Sequence, residues 1–386
     1  MRIGIDARMY GPSFTGIGRY TYELIRHLAN LDTDNTYVIF LRKEAFDSFV
    51  PPSPRFTKVL ADYPHYSFSE QFQFLRVLNR ARLDLVHFCH FNAPIFYRRP
   101  YIVTIHDLTV SFYPGKKMNG FLRRLAYEWV LKSVTRKARK IIAVSQNTKD
   151  DLRQLLGIPD GKITVIYNGI DPAFAQPSVI PKSQLTEKFG LHKPYFLYTG
   201  VWRDHKNVVG LLQAFSLLQH EMNGSFQLLI TGRPNSSYPE IPATIKVLGL
   251  QDDVCLSGLV SEEELKTLYQ HALAYVFPSF YEGFGFPPLE AMQCGIPVAA
   301  SSTSSIPEVC GEGNALFFDP HDTREMKEAM RLVATNSGIR NKLIERGLKH
   351  VRQFDWGTMA KMVMNIYNQC ESQALPTGRQ VSSARK

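Results

Sequence analysis

The sequence predicts an α/β protein built from two doubly wound, parallel-sheet domains facing each other across a cleft. Three observations predict it. Short β-rich runs alternate with longer stretches of helical period along nearly the whole chain. Many of those runs are apolar at every position rather than at every second one, as in strands covered by helices on both faces. The chain's 386 residues exceed what one ordinary core supports, yet fit two domains of about 150–200 residues each.

In the first half the strand-like runs are residues 2–6, 37–41, 84–88, 102–106, 141–145 and 163–167. In the second half they are 195–199, 226–231, 254–256, 274–277, 297–300 and 315–318. Helices are expected over 19–31 and 208–220, each just after the first strand of its half. Pro172, Pro177 and Pro181 interrupt regular structure over 171–184. The expected units are therefore 1–178 and 185–366, with 367–386 a largely disordered C-terminal segment containing Pro376 and Gly378. Polar and glycine residues gather where the runs stop: Asp6, His87, His106-Asp107, Ser145 and Asn168-Gly169 in one half, Gly200, Gly232, Gly258, Pro278-Ser279 and Ser301 in the other. Ligands of open α/β sheets bind outside the carboxyl ends of the strands, so each half is expected to supply one wall of a site.

Composition narrows the function classes. Apolar residues make up 44% and charged residues 21%, an ordinary globular balance rather than a disordered one. No run approaches the roughly 18 apolar residues of a membrane span. The opening residues show no apolar secretory core, which predicts a cytoplasmic location. The five cysteines, Cys89, Cys255, Cys294, Cys310 and Cys370, are scattered and form no Cys-x-x-Cys, which argues against a disulfide framework and a zinc site. Residues 1–180 hold 25 Lys/Arg against 15 Asp/Glu, which accounts for the whole +10 net charge. That half is expected to meet an anionic partner, either a membrane surface or a phosphorylated substrate. No nucleic-acid recognition module accompanies the charge.

The strongest local signal is Ser279-Phe280-Tyr281-Glu282-Gly283-Phe284-Gly285-Phe286-Pro287-Pro288-Leu289-Glu290. A strand ends, a glycine-rich turn follows, and proline stands where a helix begins. Free N–H groups of Gly283, Phe284 and Gly285 can point at an oxygen-rich ligand, and the helix start favours an anion. Glu282 in the loop and Glu290, expected in the first helical turn, can accept hydrogen bonds from two sets of sugar hydroxyls. A second signal, Gly200-Val201-Trp202-Arg203-Asp204-His205-Lys206-Asn207, lies between a strand and a helix. There Arg203 and Lys206 can neutralise a diphosphate. A third, Thr15-Gly16-Ile17-Gly18-Arg19-Tyr20, falls short of a dinucleotide fingerprint because Thr21 replaces its third glycine. It is expected to be a flexible loop, with Gly16 and Gly18 letting backbone approach a substrate. His106, at a strand end, can bond a sugar hydroxyl or assist proton transfer.

Two further patterns are weighed against simpler readings. Asp32-Thr33-Asp34 matches a divalent-cation motif but follows a helix and precedes a strand, the wrong end of a sheet, so a polar turn is expected. His87 and His90 lack a carboxylate partner at ligand spacing, and no metal site is expected. Residues 123–140 carry seven basic side chains against Glu128, interleaved with Leu122, Leu125, Trp129 and Val134. This is expected to be a basic amphipathic helix able to lie on an anionic membrane, with the aromatic stretch 63–74 on the same surface.

The stretch from Glu282 to Glu290 resembles the Glu-x7-Glu signature of the retaining glycosyltransferases of family 4. Cys294-Gly295-Ile296-Pro297-Val298, Pro307-Glu308-Val309, Asp319-Pro320, Val144-Ser145…Thr148-Lys149, Asn168-Gly169-Ile170-Asp171 and His106-Asp107 are also similar to that family. The likeness is greatest to its bacterial O-antigen and polysaccharide mannosyltransferases. The resemblance implies a GT-B fold, with an N-terminal acceptor-binding domain and a C-terminal donor-binding domain. It also implies metal-independent, retaining transfer from a nucleotide sugar to a glycan or lipid-linked glycan, with GDP-mannose the favoured donor and UDP-sugars next. By position it gives Glu282 to the donor sugar, and the Gly283, Phe284 and Gly285 amides to sugar and phosphate oxygens. Glu290 would hold the ribose, Lys206 and Arg203 the diphosphate, with Gly200 at that loop. His106 would sit beside the reacting centre, and Gly16 and Gly18 would line the phosphate and acceptor side. Many relatives place an arginine directly after the glycine, where this chain has Val201. The rival classes are a sugar-nucleotide epimerase of similar fold and a two-lobed sugar-binding protein, the latter normally exported. A dinucleotide oxidoreductase is disfavoured by the broken glycine pattern.

Overall fold

In the computed structural model, which describes residues 1–11, 14–116 and 120–372, the chain forms two parallel sheets. The first holds β1 (Arg2–Asp6), β2 (Thr36–Leu41), β3 (Phe56–Leu60), β4 (Leu85–Phe88), β5 (Tyr101–Ile105), β6 (Lys140–Ala143) and β7 (Ile163–Val165). Its order is β3-β2-β1-β4-β5-β6-β7. The second holds β8 (Tyr195–Thr199), β9 (Gln227–Thr231), β10 (Val254–Gly258), β11 (Ala274–Phe277), β12 (Val298–Ser301) and β13 (Leu316–Phe318), in the order β10-β9-β8-β11-β12-β13. Each sheet reverses its winding direction once, between β1 and β4 and between β8 and β11. Those two switch points are where such folds leave a crevice.

All twelve expected runs are strands. The sequence missed β3, an edge strand preceded by Pro51, Pro52 and Pro54, in which Thr57 is exposed while Phe56 is buried. Several ends also shift. Strand β5 stops at Ile105, so His106 is the first residue beyond the ladder. Strand β6 stops at Ala143, and Ser145 caps the helix Gln146–Leu156 by accepting from the Thr148 amide. The Asp32 turn lies before β2, where its carboxylate accepts from the amides of Asp34 and Asn35 at 2.9 and 3.1 Å and from the Tyr37 hydroxyl.

The expected division at 366 does not match the packing. The helix Trp356–Ser372 lies on the first sheet beside the helix Thr15–Leu31, burying Trp356, Met359, Val363, Ile366, Tyr367 and Cys370 among Ile5, Leu24, Leu28 and Ile39. Its apolar stripe, spaced for one helical face, needs a partner, and the first sheet provides it. Only 373–386 of the expected tail lie outside the described residues. The chain thus crosses between the halves twice, and the crossings touch. The Ile170 amide donates to the Phe354 carbonyl at 3.2 Å, and Gly169 packs so closely on Trp356 that a Cβ would sit 2.3 Å from its nitrogen.

Helix Trp356–Ser372 is also pinned by a buried polar chain. His87, fully buried in β4, bonds the Tyr367 hydroxyl through Nδ1 at 2.7 Å and Thr104 Oγ1 through Nε2 at 2.8 Å, and Tyr20 joins Thr104 at 2.9 Å. Burial, with the nearby His106 charge, pushes the His87 pKa down to about 3. The unfolded chain takes up a proton near pH 6.5 that the native protein refuses. Stability should therefore fall as the pH drops from about 6.5 towards 3, by about 1.4 kcal/mol per pH unit for this residue alone. The urea midpoint is expected to be lower at pH 5 than at pH 7.5; equal midpoints would mean that native His87 is protonated.

Candidate functional site

The loop after β8 starts the site. Gly232, at the end of neighbouring β9, has φ +124°, and a Cβ there would sit 2.1 Å from the Gly200 carbonyl oxygen. Glycine is what lets the two strand ends close on each other. Beyond Gly200, Trp202 is buried and Arg203 exposed, and a short 3-10 turn, Asp204–Lys206, leads into the helix Val208–Glu221. Asn207 fixes this turn by donating through Nδ2 to the carbonyls of Pro278 and Pro320, at 3.2 and 2.8 Å. The Phe280 amide donates to the His205 carbonyl at 2.8 Å. Lys206 is thereby held against Glu282, with Nζ 2.6 Å from Oε1. Both side chains are about seven-eighths shielded (14% and 13% exposed), so this pair is screened far less than a surface pair.

The loop after β11 is fixed from the other side by the loop after β12. Ser304 Oγ accepts from the Glu282 amide at 2.9 Å. Ser305 Oγ donates to the carbonyls of Glu282 and Phe284 at 2.9 and 3.1 Å, and Thr303 to that of Phe280 at 2.8 Å. Phe284 turns its ring into the core against Phe286 and Phe354. Gly285, with φ +100°, caps the helix Phe286–Gln293, and Pro287 stands in its first turn. Glu290 is the fifth helical residue, so it lies just past the first turn in which it was expected. It is buried, with Oε1 2.6 Å from Arg19 Nη1 and Oε2 accepting from the Tyr269 hydroxyl at 3.3 Å. The buried Tyr198 hydroxyl lies under Gly200, where a Cβ would be 2.7 Å away, and has no hydrogen-bond partner among the described residues.

The first half closes over this surface. Gly283 faces the His106 carbonyl so closely that a Cβ would sit 1.8 Å from its oxygen and 2.7 Å from Asp107 Cβ. Thr148 Oγ1 donates to the Gly283 carbonyl at 3.3 Å, and the Tyr281 hydroxyl to Asp151 at 2.6 Å. Glu308 accepts from the amides of Gln146 and Asn147, at 2.5 and 3.0 Å, so one half's carboxylate caps the other half's helix start. His106 donates from Nε2 to the Cys89 carbonyl at 2.9 Å. A carbonyl only accepts, so the proton is on Nε2 and Nδ1 is the free acceptor. Burial pushes its pKa down to about 4, so the ring is neutral at physiological pH and offers Nδ1 to a hydroxyl.

The structure brings together Lys206, Glu282, Gly283, Phe284, Gly285 and Glu290, with His106 opposite them. Arg203 stands at the rim, where its charge reaches the Tyr66 hydroxyl of the first half. The expected loop at Gly16 and Gly18 is corrected: both lie in the first turn of the helix Thr15–Leu31. Gly16 packs against the Phe286 ring, 3.1 Å from its Cβ position, and Gly18 against the Gly11 carbonyl. Gly16 lets two helix starts approach across the cleft, while Gly18 makes room for the preceding loop of its own half. Arg19, Ser304, Ser305 and Tyr198 were not singled out, and Glu308 and Thr148 were quoted without a role. For Glu308 the available signal was its place in the first turn of the helix Ile306–Cys310, with a proline before it.

Comparison with known proteins gives one consistent result. Residues 14–174 match the family described as Glycosyltransferase Family 4, and residues 181–350 match Glycosyl transferases group 1. The chain is 27% identical to O-antigen chain mannosyltransferase B of Escherichia coli, covering 92% of this chain and 96% of that one. It is 26% identical to O-antigen chain mannosyltransferase RfbU of Salmonella typhimurium, covering 94% and 98%. Among solved structures, a sucrose-phosphate synthase from Thermosynechococcus elongatus superposes with a TM-score of 0.79 at 21% identity, covering 97% of this chain and all of that one. WaaG, a glycosyltransferase involved in lipopolysaccharide biosynthesis, gives 0.70 at 16%, covering 95% and 99%. The fold is that of the GT-B glycosyltransferases.

The Gly283 contact yields a prediction. In Gly283→Ala the new methyl cannot fit beside the His106 carbonyl unless the halves separate. The variant is expected to stay folded but to show a larger radius of gyration by solution scattering than the parent. An unchanged radius would mean that the halves do not meet at this point.

Proposed function

The chain belongs to glycosyltransferase family 4, and on that footing we propose that it transfers mannose from GDP-mannose to a lipid-linked surface glycan, with retention of configuration. The observation that carries this reading is the convergence of Lys206, Glu282, the amides of residues 283–285 and Glu290 at the switch point of the second sheet, opposite His106. The names of the relatives, O-antigen chain mannosyltransferases, favour the donor and the class of acceptor.

In this reading the diphosphate lies against Lys206 and Arg203, with the loop amides as further donors. Glu290 accepts from the ribose hydroxyls and Glu282 from the hexose. Fixed cations and a helix start then stabilise the departing nucleoside diphosphate without a divalent ion. The bond from the anomeric carbon to the phosphate oxygen breaks as the bond to the acceptor oxygen forms on the same face. The acceptor's proton passes to the leaving phosphate. His106, neutral and held by Cys89, orients a hydroxyl of the sugar through Nδ1. Closure of the halves excludes water from the activated sugar.

The lipid-linked part of the proposal rests on one surface of the first half. The helix Phe121–Lys137 has a different shape from the amphipathic one expected. It buries Tyr127, Leu131 and Val134, while Phe121, Leu122 and Trp129 are 74%, 78% and 59% exposed beside Arg124, Lys132 and Arg136. Lys137 donates to the Ile95 carbonyl at 2.7 Å, bringing exposed Phe96 next to this helix, and Phe96 contacts exposed Phe72. Exposed aromatic and aliphatic side chains among cations fit the interface of an anionic membrane. No helix among the described residues is long and apolar enough to cross one.

Two experiments test these readings. In a nucleotide-release assay over GDP- and UDP-sugars with a membrane extract as acceptor source, GDP-mannose is expected to give the highest turnover, insensitive to a chelator. Glu282→Ala and Lys206→Ala should each lower turnover by at least about 100-fold without loss of circular dichroism. Near-normal turnover in both folded variants, or preference for a UDP-sugar, would overturn the respective assignment. In flotation at low salt, the protein is expected to rise with anionic liposomes and the double variant Phe121→Ser/Trp129→Ser to rise less. Equal sedimentation of both would remove the membrane role.

A further inference from the structure

Arg19 and Glu290 come from opposite halves. Arg19 is the fifth residue of the helix Thr15–Leu31, and Glu290 is the fifth residue of the helix Phe286–Gln293. The two helix starts meet at the Gly16–Phe286 contact, so the side chains one turn further along face each other. Arg19 Nη1 lies 2.6 Å from Glu290 Oε1, with the side chains only 23% and 8% exposed. The second carboxylate oxygen takes the Tyr269 hydroxyl. A ribose diol held by this carboxylate needs both oxygens, and one of them is occupied by the guanidinium. A second acid waits nearby. Asp171, in the first crossing between the halves, places Oδ2 3.9 Å from Arg19 Nη2. Its other oxygen caps the following turn by accepting from the Ala173 amide at 2.9 Å. The Arg19 guanidinium also stands over the Phe174 ring, 5.8 Å from its centroid.

We propose that Arg19 is a two-position switch: it pairs with Glu290, and an incoming nucleotide ribose displaces it onto Asp171. The proposal rests on the reading that Glu290 takes the ribose. A charge so shielded cannot be left unpaired without large cost, so release of Glu290 requires a second partner; Asp171 already forms an ion pair with Arg19, while Glu23 and Glu262 act on it only through their charge. The exchange moves an ion pair from the interface between the halves to a contact with the crossing segment. Nucleotide binding is thereby linked to the strength of the contact between the halves. Arg19 acts through Glu290 and is a positioning residue.

The test is the dissociation constant of GDP, measured by titration calorimetry on the full chain, for the parent and four variants. Arg19→Gln removes the competitor and is expected to bind GDP about 3- to 10-fold more tightly, with Arg19→Lys between it and the parent. Asp171→Asn keeps the turn cap but removes the second partner, and is expected to bind GDP about 3- to 10-fold more weakly. A purely structural role would lower the melting temperature of both variants without moving their affinities in opposite directions. Weaker binding by Arg19→Gln would make Arg19 a direct donor ligand and overturn the switch. Unchanged affinity in both, with GDP binding lost in Glu290→Ala, would overturn the switch alone. Unchanged affinity in Glu290→Ala would overturn the ribose assignment and the switch with it.

Discussion

Strand direction is the constraint on which the rest of this molecule depends. Both sheets are wholly parallel, so all strands of a sheet deliver their carboxyl ends to one edge. Residues reach the cleft from the loops after the strands and from the first turns of the helices those loops lead into. His106 follows β5, Gly200 follows β8, and Glu282 follows β11. The helices cover the faces and leave only the edges for chemistry. The close approach of Gly283 to the His106 carbonyl is where the two edges meet, and the absent side chain there sets how near they come.

The cleft neutralises its own charges. Lys206 stands on Glu282 and Arg19 on Glu290, so each carboxylate that was expected to meet a sugar already has a cation. Charges this shielded require partners in every state of the protein. On the proposed function, a nucleotide sugar would bind partly by exchange, its phosphates replacing Glu282 at Lys206 and its hydroxyls replacing the cations at the acids. The serine-rich loop after β12 matters because it holds the backbone of residues 282–284 in place while side-chain partners change.

Much of this was legible in the sequence. Apolar runs flanked by helical periods carry the parallel α/β class by themselves, and residues at strand ends carry the cleft. Glu282 and Glu290 were legible because glycine and proline around them dictate a strand, a turn and a helix start. What remained hidden depends on distance in three dimensions. Arg19 sits 271 positions from Glu290, and nothing local marks either as the other's partner. The glycines at 16 and 18 signalled a close approach correctly but not its object, which is backbone and an aromatic ring. Strand β3 was masked by neighbouring prolines, and an edge position relaxes the pattern a strand must show. The stripe from Trp356 to Cys370 was readable as one helical face; which sheet it would cover was not.

That last placement has a consequence for how the protein is made. The first sheet receives one of its covering helices from residues 356–372, after the whole second half has been synthesised. As the chain leaves the ribosome, the face of Ile5 and Ile39 is covered only in part, by the helix Thr15–Leu31, until residues 356–372 have been made. The two halves thus cannot mature as independent units in order of synthesis. The second can complete its core first, and the earlier-made half waits, part of its apolar face open to chaperones or to aggregation.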